Sequence, residues 1–210
     1  MAVRVLLADD HKVVREGLRA LLEREGFEVI GEAVNGKEAI ELAEKCHPEV
    51  VVLDVSMPVL NGIDAAKEIS RSCPGTRSIL LTMLTEDHYV LESLRAGVRG
   101  YVLKSQSAHE LVQGIREVCR GGIYLTPSAS SAVVQAYLSG ARASLPELSP
   151  RERQVLQLVA EGKSSKEVAV ALSISVKTAE SHRQKIMNRL GIHETAGLVR
   201  YAIREGLIQA

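Results

Sequence analysis

Acidic, hydroxyl and basic side chains stand at the ends of four short apolar runs in this chain of 210 residues. They are Asp9, Asp10, Asp54, Thr82 and Lys104. Three carboxylates that lie together repel one another and favour a divalent cation that prefers oxygen ligands, such as Mg²⁺. Beside such a cation a carboxylate can attack a phosphoryl group in line, and a threonine and a lysine can bind the phosphoryl oxygens. These residue types therefore predict phosphoryl transfer to an aspartate, with Mg²⁺ as cofactor.

A simpler interpretation exists for each aspartate taken alone. An aspartate at the end of a strand can cap the helix that follows it. That interpretation gives no role to Thr82 or Lys104, so it does not account for the five residues together.

Alternating strand and helix patterns in residues 1–122 bring these side chains to one edge. Short apolar runs predict five strands, at residues 3–8, 28–33, 50–54, 78–82 and 100–103. Segments with apolar residues at helical spacing follow the strands. Five strand–helix units predict an α/β fold with a doubly wound parallel sheet, in which ligands bind outside the carboxyl ends of the strands.

Residues 148–210 predict a small all-α domain of four helices. Capping boxes at residues 149–152 and 164–167 open the first two helices, Ser175 caps the third and Gly191 ends it. The fourth helix covers roughly residues 194–205. Two short helices joined by a few residues form a helix-turn-helix, whose second helix enters the major groove of DNA.

The third of these helices has an apolar side and a polar side. Ala179, Ile186, Met187 and Leu190 recur at helical spacing and are expected to face the core. The other side carries groups suited to base edges and phosphates: Lys177, Thr178, Glu180, Ser181, Gln184, Lys185 and Asn188. An ordinary solvated helix face is the alternative interpretation of this composition.

The net charge of zero conceals an asymmetry between the two halves. Residues 1–122 carry four more acidic than basic side chains, whereas residues 148–210 carry four more basic than acidic ones. An acidic front and a basic back indicate two modules with different partners, and a basic module of this size is typical of nucleic-acid binding.

Several classes of protein are excluded by composition. The apolar runs are too short to span a bilayer, and no signal-peptide pattern precedes the first strand. Three cysteines without CxxC spacing, and histidines without ligand spacing, argue against a disulfide framework and a zinc site. We therefore expect a cytoplasmic protein without a structural metal.

The front motifs resemble the receiver domain of two-component response regulators. The resemblance rests on Asp9-Asp10-His11, Asp54-Val55-Ser56-Met57-Pro58, Asn61-Gly62, Leu80-Leu81-Thr82 and Gly100-Tyr101-Val102-Leu103-Lys104. It implies a flavodoxin-like five-stranded sheet in the order 2-1-3-4-5. It also implies that Asp54 is the phosphoacceptor.

The same resemblance assigns the remaining site residues. Asp10 would bind Mg²⁺ directly and Asp9 mostly through water, with Asp54 and the backbone carbonyl of Ser56 as further ligands. Thr82 and Lys104 would bind the phosphoryl oxygens. Tyr101 would be a switch aromatic that turns inward, the alternative being a tyrosine that simply packs on a helix.

Two positions depart from the common receiver pattern. Ser105 follows Lys104 where many receivers have a proline in a cis peptide, so this peptide is expected to be trans. Met83, after Thr82, is bulkier than the small residue usual there.

The back motifs resemble the LuxR-type helix-turn-helix. The resemblance rests on Leu148-Ser149-Pro150-Arg151-Glu152, Ala160-Glu161-Gly162 and the segment 175–190. It implies that Glu180, Ser181 and Gln184 face bases and that Lys177, Thr178, Arg183, Lys185 and Arg189 contact phosphates. His182 is expected to be structural.

Together the two resemblances identify the chain as a member of the NarL/FixJ family of response regulators. They imply a receiver at residues 1–122, a partly helical linker at 123–147 and a DNA-binding domain at 148–210. The implied partners are a sensor histidine kinase, double-stranded promoter DNA and RNA polymerase. Phosphorylation of Asp54 is expected to release the recognition helix, which is the third helix of the DNA-binding domain, from the receiver, to favour a homodimer, or both.

Two other functions fit part of the sequence. An aspartyl-nucleophile phosphatase would use Asp54, Mg²⁺, Thr82 and Lys104, but its general acid would stand two residues after the nucleophile, where this chain has Ser56. A DNA-binding protein that ignores phosphate is the second alternative, and the complete set of receiver residues argues against it. The output we expect is therefore binding rather than enzymatic turnover.

Overall fold

The computed structural model describes residues 2–84, 87–106, 108–139 and 148–208. These residues fall into two compact units, of which the first comprises residues 2–57 and 61–139 and the second is built mainly from residues 148–208. Each unit has its own core.

A six-stranded parallel sheet forms the centre of the first unit. Its strands are β1 (Arg4–Ala8), β2 (Glu28–Ala33), β3 (Val50–Leu53), β4 (Arg77–Thr82), β5 (Gly100–Leu103) and β6 (Tyr124–Leu125). The strand order is β2-β1-β3-β4-β5-β6, and every neighbouring pair is parallel. The predicted order of the first five strands is confirmed, and the predicted count of five is corrected to six.

The sixth strand escaped sequence analysis because it is only two residues long. Gly100 pairs with Tyr124 and Tyr101 with Leu125, so β6 extends the sheet at the β5 edge. Two residues show no alternation and no apolar run, which are the signals that predict a strand.

Six helices surround the sheet: α1 (Lys12–Arg24), α2 (Gly36–Cys46), α3 (Gly62–Ser72), α4 (Asp87–Arg95), α5 (Ala108–Cys119) and α6 (Pro127–Ser139). Asparagines cap two of them, since Asn35 accepts from the Glu38 N–H and Asn61 from the Asp64 N–H. Both faces of the central strands are buried, as their nearly continuous apolar sequences require.

Residues 124–139 belong to the first unit, beyond the end at residue 122 that the sequence predicts. The linker is predicted to be partly helical, and its helix is present as α6, which packs against α4. Thr126, Ala129 and Ala132 are buried. This stretch therefore extends the receiver fold, while residues 140–147 of the predicted linker lie outside the described residues.

Four helices form the second unit, as predicted: α7 (Pro150–Ala160), α8 (Ser165–Ala171), α9 (Val176–Leu190) and α10 (Thr195–Arg204). Both capping boxes are complete, and Ser175 caps α9. Gly191 ends α9 with a φ of 65°, a left-handed conformation that glycine adopts without strain. The core of this unit includes Val155, Leu156, Val168, Ile186 and Leu198.

Within the part of the chain that the structure describes, no helix combines the length and the apolar character needed to cross a bilayer.

Candidate functional site

An acidic pocket lies where β1 and β3 end. Asp9 and Asp54 are almost fully buried, with 2% and 3% of their surfaces exposed, whereas Asp10 lies at the surface. One ligand atom from each of Asp9, Asp10, His11 and Asp54 falls in a group whose members lie within 4.8 Å of one another. The topology thus brings together the three aspartates that the sequence singled out.

Lys104 joins this pocket from the end of β5. Its Nζ lies 2.7 Å from Asp9 Oδ2 and 2.8 Å from Asp54 Oδ2. The backbone N–H of Lys104 donates to the carbonyl of Thr82 at 2.8 Å, which ties the two strand ends together. One ammonium group therefore bridges two buried carboxylates.

The pKa values of this pair reflect burial and mutual charge. Burial raises the pKa of Asp54 and the charge of Asp9 raises it further, against the opposing effect of Lys104. Burial acts to lower the pKa of Lys104, but the carboxylates of Asp54 and Asp9 outweigh it and raise this pKa. Lys104 is therefore a cation at neutral pH, and a second cation in the pocket would favour ionised Asp54.

His11 is a member of this pocket that sequence analysis quoted without assigning it a role. Its Nδ1 lies 2.8 Å from Asp10 Oδ1 and 3.3 Å from Asp9 Oδ1, and its backbone N–H donates to Asp9 Oδ1 at 2.8 Å. The only signal in the sequence was its position directly after the two aspartates, because it has no metal-ligand spacing to another histidine.

Thr82 and Tyr101 meet at the backbone of Leu84. The Leu84 N–H donates to Thr82 Oγ1 at 3.1 Å, and the Tyr101 hydroxyl donates to the Leu84 carbonyl at 2.9 Å. Thr82 and Tyr101 are each 1% exposed. The aromatic ring is thus inside the protein, and Leu84 connects it to the threonine.

The departures from the common receiver pattern are also visible. The Lys104–Ser105 peptide is trans, as expected, and the Met83 side chain is 63% exposed, so its bulk points away from the core. Ser56 is half-buried after β3 and its N–H hydrogen-bonds the Asp54 carboxylate. Its carbonyl remains a predicted ligand.

In the second unit, the polar side of α9 is open to solvent. Seven of the eight residues predicted to contact DNA are exposed: Lys177, Thr178, Glu180, Ser181, Gln184, Lys185 and Arg189, whose side chain is 46% exposed. Ala179 and Ile186 on the opposite side are buried, as predicted from their spacing. The Gln184 amide donates to Asn188 Oδ1 at 3.0 Å, which orders this side chain along the helix surface.

The two arginines predicted to contact phosphates are engaged within the unit. Arg189 Nη1 donates to Glu152 Oε2 of α7 at 2.8 Å, and Arg183 Nη2 donates to Thr195 Oγ1 of α10 at 2.5 Å. His182 is half-buried, in keeping with its predicted structural role.

Comparison with known families agrees with both halves of this description. Residues 5–116 match the response regulator receiver domain, and residues 146–202 match the bacterial regulatory proteins of the luxR family. The chain belongs to the NarL/FixJ family of two-component response regulators. This response regulator therefore carries a LuxR-type DNA-binding domain, and its family consists of transcriptional regulators rather than typical enzymes.

Relatives resemble this response regulator along its whole length. It is 40% identical over 209 residues to the transcriptional regulatory protein MctR of Rhizobium johnstonii, covering 98% of this chain and 95% of that protein. It is 34% identical over 215 residues to the oxygen regulatory protein NreC of Staphylococcus carnosus, covering 98% of this chain and 99% of that protein.

A solved structure of RcsB from Salmonella enterica serovar Typhimurium, bound to promoter rprA with the phosphomimetic BeF3⁻, is also similar. The TM-score is 0.65 at 30% identity, with 96% of this chain and 98% of that chain covered.

Proposed function

We propose that this response regulator is a transcription factor controlled by phosphorylation of Asp54 by a sensor histidine kinase. The observation that carries the proposal is the bridge from Lys104 Nζ to the buried carboxylates of Asp9 and Asp54, at 2.7 and 2.8 Å. The bridge places a cation beside Asp54, a buried carboxylate that follows β3 and belongs to the acidic pocket.

The donor atoms of the pocket fit Mg²⁺. Carboxylate oxygens from Asp9, Asp10 and Asp54 lie within 4.8 Å of one another, and oxygen is the ligand that Mg²⁺ prefers. We propose that these three residues hold the cation together with the backbone carbonyl of Ser56. When bound, Mg²⁺ supplies positive charge that offsets the carboxylates and the incoming phosphoryl oxygens.

In the transfer step, a carboxylate oxygen of Asp54 attacks the phosphorus of a phosphohistidine. A P–O bond to Asp54 forms, the P–N bond breaks, and its electron pair stays on the imidazole nitrogen of the kinase. Lys104 Nζ, already 2.8 Å from this carboxylate, binds a phosphoryl oxygen with little movement.

The link through Leu84 supports a switch. We propose that Thr82 Oγ1 turns to the phosphoryl group and gives up the hydrogen bond from the Leu84 N–H, now 3.1 Å long. The Leu84 carbonyl also accepts from Tyr101, so the threonine and the aromatic ring respond together. Phosphorylation adds charge and strong acceptors, which is how it biases an element with two arrangements.

The output is sequence-specific binding to a promoter operator in double-stranded DNA. We propose that Glu180, Ser181 and Gln184 face bases and that exposed cations of α9 bind phosphates. RcsB, similar along the whole chain, has been solved bound to a promoter in the presence of a phosphomimetic. By analogy a phosphorylated homodimer binds two half-sites one helical turn apart and acts on RNA polymerase.

The phosphatase alternative lacks its general acid. Ser56 stands two residues after Asp54, and a hydroxyl does not protonate a leaving group at neutral pH as a carboxylic acid does. The phosphoryl group on Asp54 is accordingly a signal that the protein holds rather than an intermediate it must discharge.

Intact-protein mass spectrometry tests the acceptor. Incubation with Mg²⁺ and acetyl phosphate is expected to add one phosphoryl group to the wild type and none to Asp54→Asn. An adduct on both proteins would place the acceptor elsewhere.

Beryllium fluoride with Mg²⁺ tests the switch without phosphoryl turnover. In the wild type it is expected to raise the dimer fraction measured by sedimentation and the affinity for a promoter duplex. In Asp54→Asn neither quantity is expected to change. Unchanged dimer fraction and affinity in the wild type would favour the DNA-binding protein that ignores phosphate.

A further inference from the structure

Two arginines of α9 make contacts inside the second unit, although the resemblance to the LuxR-type helix-turn-helix implies that they contact phosphates. We infer that Arg183 and Arg189 are positioning residues that fix the rotation of α9, and that Lys177 and Lys185 are the phosphate-binding cations of this helix. The inference rests on the proposed DNA-binding function and assigns the roles of four residues within it.

Arg189 is held by a buried carboxylate. Its Nη1 donates to Glu152 Oε2 at 2.8 Å, and the Glu152 side chain is only 6% exposed. The same oxygen accepts from the Ser149 N–H and the Ser149 hydroxyl, each at 2.8 Å. Glu152 therefore caps α7 and binds the last turn of α9 with one oxygen.

The environment of Glu152 keeps it ionised. Burial alone would raise its pKa, but the hydrogen bonds from Ser149 and the charges of Arg189 and His182 outweigh burial and lower this pKa. A buried carboxylate that is ionised at neutral pH needs a nearby cation. Breaking the Arg189–Glu152 contact to bind a DNA phosphate would take that cation away, although the Arg189 side chain itself is 46% exposed.

Arg183 makes the corresponding contact on the other side of the helix. Its Nη2 donates to the hydroxyl of Thr195, the first residue of α10, at 2.5 Å. At about 100° per residue, Arg183 and Arg189 lie about 60° to either side of Ile186, which is buried. The two arginines thus border the buried side of α9 and attach it to α10 and α7.

The lysines lie farther from the buried side. Lys177 and Lys185 are both exposed; at about 100° per residue, Lys177 lies opposite Ile186, whereas Lys185 lies about 100° from Ile186, one turn before Arg189 on the same flank of α9. A helix that reads base edges must present the same side chains to the groove each time it binds. The arginines set that presentation, and the lysines supply charge to the DNA backbone.

The salt dependence of DNA binding separates these roles. The full-length protein with Mg²⁺ and beryllium fluoride would be measured against two probes: a duplex that the wild type selects from a random-sequence pool, and the unselected pool. Phosphate contacts contribute to the slope of log affinity against log salt, about 0.9 per contact, and act on both probes alike.

We expect Arg189→Gln to weaken binding to the selected duplex about tenfold, the equivalent of one lost base contact, with an unchanged salt slope. Binding to the unselected pool should change less than about twofold. The control Lys185→Gln should weaken both probes by similar factors and reduce the slope by about one. A slope reduced by about one in Arg189→Gln would overturn the inference.

The two roles considered for Arg189 predict different changes in DNA affinity for the Glu152→Gln variant. If Arg189 bound phosphate, loss of a nearby negative charge would leave DNA affinity unchanged or raise it. A positioning role predicts that Glu152→Gln binds the selected duplex more weakly than the wild type does. It also predicts that the double variant Glu152→Gln, Arg189→Gln binds this duplex no more weakly than the weaker of the two single variants. Glutamine retains an acceptor for the capping box, and circular dichroism would verify that the helices remain.

Arg183→Gln and Thr195→Val form the matched pair for the second contact. Valine replaces the hydroxyl with a methyl group of similar size, and both changes should lower the selected-to-unselected affinity ratio by the same factor. If Thr195→Val leaves that ratio unchanged, Arg183 does not act through Thr195. If the wild type selects no duplex at all, the proposed DNA-binding function fails rather than the assignment within α9.

Discussion

At the scale of single residues, the bridge made by Lys104 has an energetic consequence. Its ammonium holds two carboxylates that are almost fully buried, at 2.7 and 2.8 Å. Removal of the cation leaves Asp9 and Asp54 with like charges in a poorly solvated place, which is far more costly than loss of a surface ion pair.

Lys104→Met is therefore expected to lower the free energy of unfolding without divalent cations by about 2–4 kcal/mol. Addition of Mg²⁺ should recover part of that loss, because a cation then occupies the pocket without competition from the ammonium. Thermal unfolding with and without Mg²⁺ measures both effects. Lys37→Met, at an exposed position, is the control, and equal behaviour of the two variants would contradict the prediction.

The backbone of Val59 is strained. Its φ is 71°, a left-handed conformation that is strained for a β-branched side chain. Val59→Gly should relieve the strain and raise the free energy of unfolding by about 0.5–1 kcal/mol.

Val34 is the matched control because it stands before a helix in a loop, is partly exposed and does not have a positive φ. Val34→Gly should lower the free energy of unfolding, measured by denaturant titration. Destabilisation by Val59→Gly would show that its side-chain contacts outweigh the strain.

Sequence alone predicted the pocket residues whose types are unusual at a strand end. Asp54, Thr82 and Lys104 stand out because nearly all other residues of those strands are apolar. The role of Leu84 could not be predicted, since it uses backbone atoms that every residue has. The contact of Arg189 with Glu152 could not be predicted either, because a sequence does not show whether an exposed arginine is paired with a carboxylate of another helix.

At the scale of elements, the sixth strand depends on side-chain contacts with α5. Tyr124 lies in β6, its hydroxyl donates to Glu110 of α5, and its ring lies against Gly114. Burial, and then the hydrogen bond to Glu110, raise the pKa of Tyr124 to about 12. The short strand is thereby fastened to a helix that the sequence already predicted.

A raised tyrosine pKa has a defined effect on stability. The contribution is fully present below about pH 10, the unfolded value, and is lost as pH rises through the folded value of about 12. Glu110→Gln should move this pKa part of the way back toward 10, because burial, the larger cause, remains. The tyrosinate absorbance titration of each protein, with that of its Tyr124→Phe derivative subtracted, measures it, and an unmoved pKa would contradict the contact.

Most helices and strands could be predicted because their signals lie within short stretches of the sequence. Capping boxes and strand-end polar residues are local signals, so α7, α8 and β1 through β5 follow from short stretches of sequence. β6 exists because an edge strand was available to pair with it, which is a tertiary condition.

At the scale of the whole molecule, charge divides with the fold. Residues 1–122 carry four more acidic than basic side chains and residues 148–210 the reverse. An acidic unit on the same chain repels a polyanion that the basic unit attracts.

An isolated chain of residues 143–210 is thus expected to bind random-sequence DNA more tightly than the full-length protein at low salt, by about three- to tenfold. The difference should shrink as salt screens the acidic unit. Anisotropy titrations over a salt series test this, and a difference that does not vary with salt would have a cause other than charge.

The arrangement of α9 also bears on how such a protein changes its targets over generations. Its apolar side and its bordering arginines hold the helix in place, while the side chains of Glu180 and Ser181 are exposed. Substitutions at these two positions can alter operator preference at small cost to folding. A lineage can therefore acquire a new set of regulated genes through a few changes on one helix surface, while the phosphorylation input remains as it was.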